Sequence, residues 1–217
     1  MAANAPTLRI TEIFYSLQGE STRAGLPTVF IRLTGCPLRC TWCDTAYAFA
    51  GGAALSLPAI LERVAAHDCP TVCVTGGEPL AQTNCLPLLT ALCDAGYAVS
   101  LETSGALDIS GVDPRVSRIV DLKAPDSGEA DRNRWENLGD LRQSDEIKIV
   151  LASRADYEWA KSALAGRRLN EICRVLFSPV WDKLPPAQLA EWILADRLPV
   201  RFQLQLHKVL WGQERGK

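Results

Sequence analysis

The chain has 217 residues, 47% apolar and 22% charged, with 25 Asp and Glu against 23 Lys and Arg for a net charge of −2. That balance is ordinary for a globular domain long enough to bury a core, and it excludes both chain-wide disorder and the basic surface that nucleic acid requires. No apolar run approaches the ~20 residues of a membrane-spanning helix.

The N-terminus, Met1 to Pro6, has neither the basic start nor the apolar stretch of a signal peptide, so a cytoplasmic protein with no membrane or nucleic-acid partner is expected. In that compartment the eight cysteines are metal ligands or small buried hydrophobes rather than disulfides. No repeat or linker divides the chain, so residues 1–217 are expected to form a single domain.

In chain order, the first strand signal is Thr28 to Leu33 (TVFIRL), and Cys36-Pro-Leu-Arg-Cys40-Thr-Trp-Cys43 follows it. Ser56 suits the N-cap of a helix through Ile60, Leu61, Val64 and Ala65. Thr71 to Thr75 (TVCVT) reads as a strand and ends on Gly76-Gly77-Glu78-Pro79. A helix is expected over Pro79 to Ala95, with Leu88, Leu89 and Leu92 inward and Gly96 as its stop. Ala98 to Glu102 is a strand closing on Glu102, and Arg118 to Leu122 (RIVDL) is one followed by Lys123.

The aperiodic stretch Pro125 to Asn137 reads as a mobile surface loop. Beyond it come a strand at Glu146 to Leu151 and a helix at Ser153 to Ala165, with Ser153 and Asp156 arranged like a capping box. A strand at Cys173 to Phe177 precedes Ser178-Pro179, and two prolines open a helix at Pro185 to Ala195. A last strand, Val200 to Leu206, closes on His207.

Strands alternating with helices predict an α/β fold built from βαβ units, with mostly parallel strands. A partial (β/α) barrel is expected, and a doubly wound sheet is the alternative, because periodicity does not contain connection order. In either architecture the C-terminal ends of the strands share one face, where ligands bind. The cysteine loop, the Gly-Gly-Glu-Pro turn, Glu102, Lys123, Ser178 and His207 should therefore meet at one site.

Cys36, Cys40 and Cys43 lie close enough for one loop to wrap a polynuclear centre, and three thiolates leave one iron of a 4Fe–4S cluster open. A structural zinc ion is the alternative, and it would want a fourth Cys or His. Gly-Gly-Glu-Pro alone also fits a tight turn into a helix. Thr45 alone fits a turn cap, Arg32 a surface ion pair, and His207 a structural role.

The cysteine loop with Trp42 before its last cysteine, taken with Gly76-Gly77-Glu78-Pro79, resembles the signature of the radical S-adenosylmethionine (SAM) superfamily. Within it, the run Glu12 to Glu20 (EIFYSLQGE), Cys43-Asp44-Thr45 and Gln205-Leu-His-Lys208 resemble the 7-carboxy-7-deazaguanine synthase family, nearly end to end. The resemblance implies a radical SAM type of partial barrel. It also implies conversion of 6-carboxy-5,6,7,8-tetrahydropterin to 7-carboxy-7-deazaguanine with loss of ammonia. A 4Fe–4S cluster, SAM and Mg2+ would serve as cofactors. A flavodoxin or ferredoxin would be the electron donor, and a homodimer the assembly.

By the same resemblance Cys36, Cys40 and Cys43 hold the cluster, and Trp42, Cys43, Asp44, Gly77, Glu78, Lys123 and Ser178 contact SAM. Leu17, Gln18, Gly19, Glu20, Arg32, Thr75, Glu102 and His207 bind the substrate, and Thr45 contacts Mg2+. Trp211 to Lys217 departs from the pattern, since some relatives end soon after the histidine. A glycyl-radical activase shares the cysteine spacing but has no use for Leu17 to Glu20 or for Gln205 and His207. An iron–sulfur electron carrier has no use for Gly76 to Pro79.

Overall fold

The computed structural model describes residues 6–217. Its strands are β1 (Thr7–Leu17), β2 (Pro27–Leu33), β3 (Ala53–Ser56), β4 (Thr71–Gly76), β5 (Ala98–Thr103), β6 (Ser117–Lys123), β7 (Glu146–Leu151), β8 (Arg174–Pro179) and β9 (Arg201–Phe202). Its helices are α1 (Leu57–Ala65), α2 (Cys85–Asp94), α3 (Arg154–Gly166), α4 (Leu169–Ile172), α5 (Pro186–Asp196) and α6 (Leu206–Trp211).

One sheet holds the strands in the order β3-β1-β2-β4-β5-β6-β7-β8-β9. Every pair from β2 to β9 is parallel, while β1 runs antiparallel to both β2 and β3. The order climbs from β2 to β9 without the reversal that defines a doubly wound sheet. This is the expected partial barrel, carrying an antiparallel N-terminal flap.

A period of two in the parallel strands sends alternate side chains to opposite faces. Val29, Ile31 and Leu33 on β2, Val72 and Val74 on β4, Leu101 on β5, and Ile147 and Ile149 on β7 are buried on one face. They pack against Ile60 and Val64 of α1, Leu88 and Leu92 of α2, Tyr157 and Leu164 of α3, and Leu189 of α5. The intervening residues, Arg32, Thr75, Glu102, Asp121, Lys123 and Lys148 among them, belong to the other face.

Six of the predicted strands and three of the helices stand close to their expected bounds. Ser56 caps α1 by accepting from Ala59 N–H (3.4 Å), and Ser153 caps α3 by accepting from Asp156 N–H (3.2 Å). The Asp156 carboxylate does not complete a capping box. It accepts from the N–H groups of Ala152 and Asp126 instead, each at 2.9 Å.

Four expectations are corrected. Two strands were not expected: β1, whose alternation is broken by a register shift between Ile10 and Glu12, and β3, which is only four residues long. The helix expected from Pro79 begins at Cys85, after a short 3-10 turn at Pro79–Ala81. Gln82 between them is extended, and its amide donates to the carbonyls of Arg9 and Thr34 (2.9 Å each) while accepting from Arg9 N–H (2.8 Å).

The strand expected over Val200 to Leu206 shrinks to Arg201–Phe202. The buried Gln203 side chain exchanges hydrogen bonds with the Ser21 backbone (2.9 and 2.7 Å), and Leu206 N–H donates to Gly19 O (2.9 Å), which starts α6. Pro125 to Asn137 is not a free loop. It winds into 3-10 turns tied down by Asn133, which bonds both ways to the Lys123 backbone, and by Asn137, which donates to Gly105 O and Leu107 O.

Buried Asp145 accepts from Arg118 Nη2 (2.6 Å) and Nε (3.1 Å) and from the N–H groups of Arg118 and Arg142 (2.9 Å each), clamping the starts of β6 and β7. Removing one partner strands a buried charge. Asp145→Ala is expected to lower the unfolding free energy by about 3 kcal/mol or more, measured by urea denaturation.

Candidate functional site

The site begins where β2 and β4 end. Gly76 has φ +152°, and a Cβ there would lie 2.4 Å from Leu33 O. A Cβ on Gly77 would lie 2.1 Å from Gly35 O and 2.8 Å from Cys36 Cβ. Only glycines allow this turn to seat on the root of the cysteine loop, where Glu78 N–H donates to Gly35 O (2.8 Å). The far side of the loop leans on the 125–137 segment. Thr41 N–H donates to Ser127 O (2.9 Å), and Arg39 N–H to Glu129 Oε1 (2.5 Å).

A cavity of about 790 Å³ opens over the polar sheet face. Cys36, Cys40, Trp42, Cys43, Asp44 and Thr45 line it from the loop, and Gly77 lines it from the glycine turn. Leu17, Gln18, Gly19, Glu20, Arg32, Thr75, Glu102, Lys123 and His207 line it as well. Strand-end convergence was thus readable from sequence, since one cavity collects almost every expected residue.

Two expected SAM contacts do not reach that wall. Glu78 is fully buried, and its carboxylate accepts from Leu80 N–H (3.0 Å), Thr103 Oγ1 (2.8 Å), and Ser104 N–H and Oγ (2.7 and 2.5 Å). The hydrogen bonds of this carboxylate run inside the protein, and the glycine turn is what borders the cavity. Ser178 Oγ is buried on β8 with no partner among the described residues. Its predicted position just past a strand end failed because β8 continues to Pro179.

Cys36, Cys40 and Cys43 are partly exposed, whereas Cys69, Cys73, Cys85 and Cys173 are buried. Burial raises the Cys36 and Cys40 thiols, and nearby Lys123 partly offsets it in both. Leu38 N–H donates to Cys36 Sγ (3.4 Å). Among the described residues no three His, Cys, Asp or Glu side chains converge tightly enough to hold a single metal ion. Three accessible sulfurs on one loop, a backbone donor to one of them and the side-chain-free space at Gly77 fit a thiolate-bound cluster.

Opposite the cysteines, hydrogen bonds run across the sheet face. Thr75 Oγ1 donates to Glu102 Oε2 (2.9 Å), Gln18 Nε2 to Glu102 Oε1 (3.2 Å), and Glu20 N–H to Gln18 Oε1 (3.1 Å). Gln205 Nε2 donates to Glu20 Oε1 (2.7 Å), and Lys148 pairs with Glu20 Oε2. Lys148 and Lys123 both reach Asp121 Oδ2 at 3.2 Å. Burial alone would raise the Glu20 carboxyl. The Lys148 ammonium and the donors on its oxygens win, holding it at about 2. The same partnership keeps buried Lys148 charged, with its pKa well above the ordinary value.

Arg32 is not a surface cation. Its Nε donates to Glu12 Oε1 (2.7 Å), which Tyr47 OH also reaches (2.7 Å), and its guanidinium lies near the Phe14 and Tyr47 rings. Its two terminal nitrogens have no hydrogen-bond partner among the described residues. His207 stands in the first turn of α6, not at a strand end, packed so closely on Gly19 that a Cβ there would fall 2.1 Å from Nδ1. Burial lowers its pKa against the opposing pull of Glu20 and Asp44, which favours the neutral imidazole. Asp44 itself pairs with Lys208 (2.8 Å).

Residues 30–125 match the radical SAM superfamily. The 7-carboxy-7-deazaguanine synthase of Chlorobaculum tepidum is 51% identical over 217 residues, covering 99% of this chain and 98% of the relative. The synthase of Koribacter versatilis is 43% identical, covering 95% and 98%. The chain belongs to the 7-carboxy-7-deazaguanine synthase family. Among solved structures, QueE from Escherichia coli aligns with a TM-score of 0.76 at 26% identity, covering 93% of this chain and 95% of that one. SuiB from Streptococcus suis shares the fold alone, at a TM-score of 0.60 and 15% identity over 82% of this chain and 48% of its own. Membership of the synthase family, within the radical SAM superfamily, carries a 4Fe–4S cluster and SAM, and it sets aside the activase, electron-carrier and zinc readings.

Several residues at the site escaped the sequence reading. Lys148 and Asp121, both in the wall, had a signal, because each sits between apolar neighbours that alternate into the core and so must face the same way as Arg32. Tyr47 in the wall, and Glu12 behind Arg32, had none, since their meeting with Arg32 depends on β1 and on the chain past the cysteines. Gly212 to Lys217 also line the cavity, with Arg215 4.2 Å from the Tyr47 ring centroid.

Because the Glu20 carboxyl is depressed, its stabilising contribution is complete above the unfolded value of 4.5 and is lost as pH falls through about 2. Glu20→Gln is expected to flatten the stability curve across that window, read by urea unfolding at a series of pH values.

Proposed function

We propose that this chain converts 6-carboxy-5,6,7,8-tetrahydropterin to 7-carboxy-7-deazaguanine with loss of ammonia, working as a single cytoplasmic domain within a homodimer and reduced by a flavodoxin or ferredoxin. The observation that carries the reading is the joining of a three-cysteine loop and a carboxylate–amide–guanidinium wall in one cavity. That no described helix is long and apolar enough to cross a membrane agrees with it.

When bound, the cluster and SAM would supply the one-electron radical chemistry that the reaction needs. Cys36, Cys40 and Cys43 would hold the cluster, while the backbone at Gly77, with Trp42, Asp44 and Lys123, would border SAM. Glu78 serves from behind, fixing the glycine turn, and Ser178 is left without a direct contact.

The remaining residues orient the substrate. Arg32, with Nε tied to Glu12, offers its two free nitrogens to the substrate carboxylate as a fork. Glu102, Gln18 and Glu20 present acceptors and an amide to the donor edge of the pterin, beside the Thr75 hydroxyl. Leu17 and Gly19 shape the floor, where Gly19 lets His207 close in as a neutral hydrogen-bonding partner. Thr45 would contact a Mg2+ ion whose other ligands are waters and substrate oxygens.

Anaerobically reconstituted protein, given SAM, a reductant and the carboxylated tetrahydropterin, should form the deazaguanine chromophore, and its absence would sink the reading. Arg32→Ala should weaken substrate binding by ~tenfold or more while SAM affinity changes little. Equal loss of both, measured calorimetrically, would remove the carboxylate role. Thr45→Ala should shift the Mg2+ dependence of turnover, and an unaltered dependence removes Thr45 from the metal site.

A further inference from the structure

Lys148 is a buried ammonium on a strand whose neighbours, Ile147 and Ile149, are core residues. A buried ion pair is often matched or exceeded in stability by packed apolar side chains, so stability alone does not explain a lysine here. Its contacts do. The ammonium bridges Glu20 Oε2 and Asp121 Oδ2, and Asp121 is shared with Lys123. Gln205 holds the other Glu20 oxygen, so the carboxylate is fixed at both ends while each oxygen keeps a lone pair for a ligand. His207, Asp44 and Glu102 also bear on this pair.

We propose that Lys148 is a positioning residue that aims the Glu20 carboxylate at the donor edge of the pterin, acting through Glu20 rather than as a substrate ligand. The assignment rests on the substrate reading above. It goes further, by assigning work to a cavity-wall residue that acts through its neighbour.

Calorimetric titration of reconstituted protein with the carboxylated tetrahydropterin, and separately with SAM, tests it. Lys148→Met should raise the substrate Kd ~tenfold or more and leave the SAM Kd within about twofold. Lys148→Arg should restore most of the loss. In a Glu20→Gln background, Lys148→Met should change the substrate Kd by less than about twofold, because the group it acts through is already altered. Additive losses, equal loss of SAM and substrate binding, or wild-type substrate affinity in Lys148→Met would each overturn the assignment.

If Lys148→Met shows no cooperative thermal transition, the doubly substituted protein compared with Glu20→Gln decides. Position 20 is then uncharged, and Asp121 retains Lys123. Wild-type protein that binds no carboxylated tetrahydropterin removes the proposed function and this assignment with it. Normal wild-type binding, matched by Lys148→Met, removes the assignment alone.

Discussion

The buried Glu78 carboxylate is the junction on which the rest of the site depends. A fully desolvated carboxylate is tolerated only when donors satisfy it, and here Thr103, Ser104 and Leu80 supply them. Those bonds fasten the end of β4 to the end of β5. The two glycines just before Glu78 then bring the same turn against Leu33 and Gly35, at the end of β2. Three adjacent strand ends are locked together, and the cysteine loop springs from the lock. Position here is set by what Glu78 binds inside the protein.

On that frame, the concave face solves a charge problem. Glu20, Glu102, Asp121, Lys123, Lys148 and Arg32 share a partly desolvated cavity, where an unpaired charge would be costly. Ion pairs and hydrogen bonds answer these charges, and the strands fix the directions of Arg32, Glu102, Asp121, Lys123 and Lys148. The exposed tail from Gly212 and the half-buried His207 close the wall from the C-terminal side. A family reaction that needs one radical aimed at one carbon benefits from such a rigid wall, because orientation is what the protein adds to cofactor chemistry.

Much of this was legible before any coordinates. The period of two in RIVDL and EIKIVL separates core from cavity residues, and it places Lys148 and Asp121 on the same sheet face as Arg32. The glycine pair and the spacing of the cysteines are local signals, since turn geometry and a short loop depend on near neighbours only. What failed was of two kinds. Segments whose conformation is imposed by distant partners were misread: Gln82 extended by Arg9 and Thr34, the turns at 125–137 pinned by Asn133 and Asn137, and α6 begun by Gly19. The burial of polar ends was also unforeseen, as with Glu78 and Ser178.

By itself the sequence determined the α/β alternation, the cysteine loop, the glycine turn and the gathering of polar residues at strand ends, because periodicity and short-range sterics are written in neighbouring residues. Only the tertiary structure decided the order of the sheet, the antiparallel flap, and the partners of Arg32, Glu20 and Lys148. Those depend on pairings between residues far apart in the chain. Which way a buried carboxylate turns follows from the donors that happen to surround it, and those donors are assembled only when the strands meet.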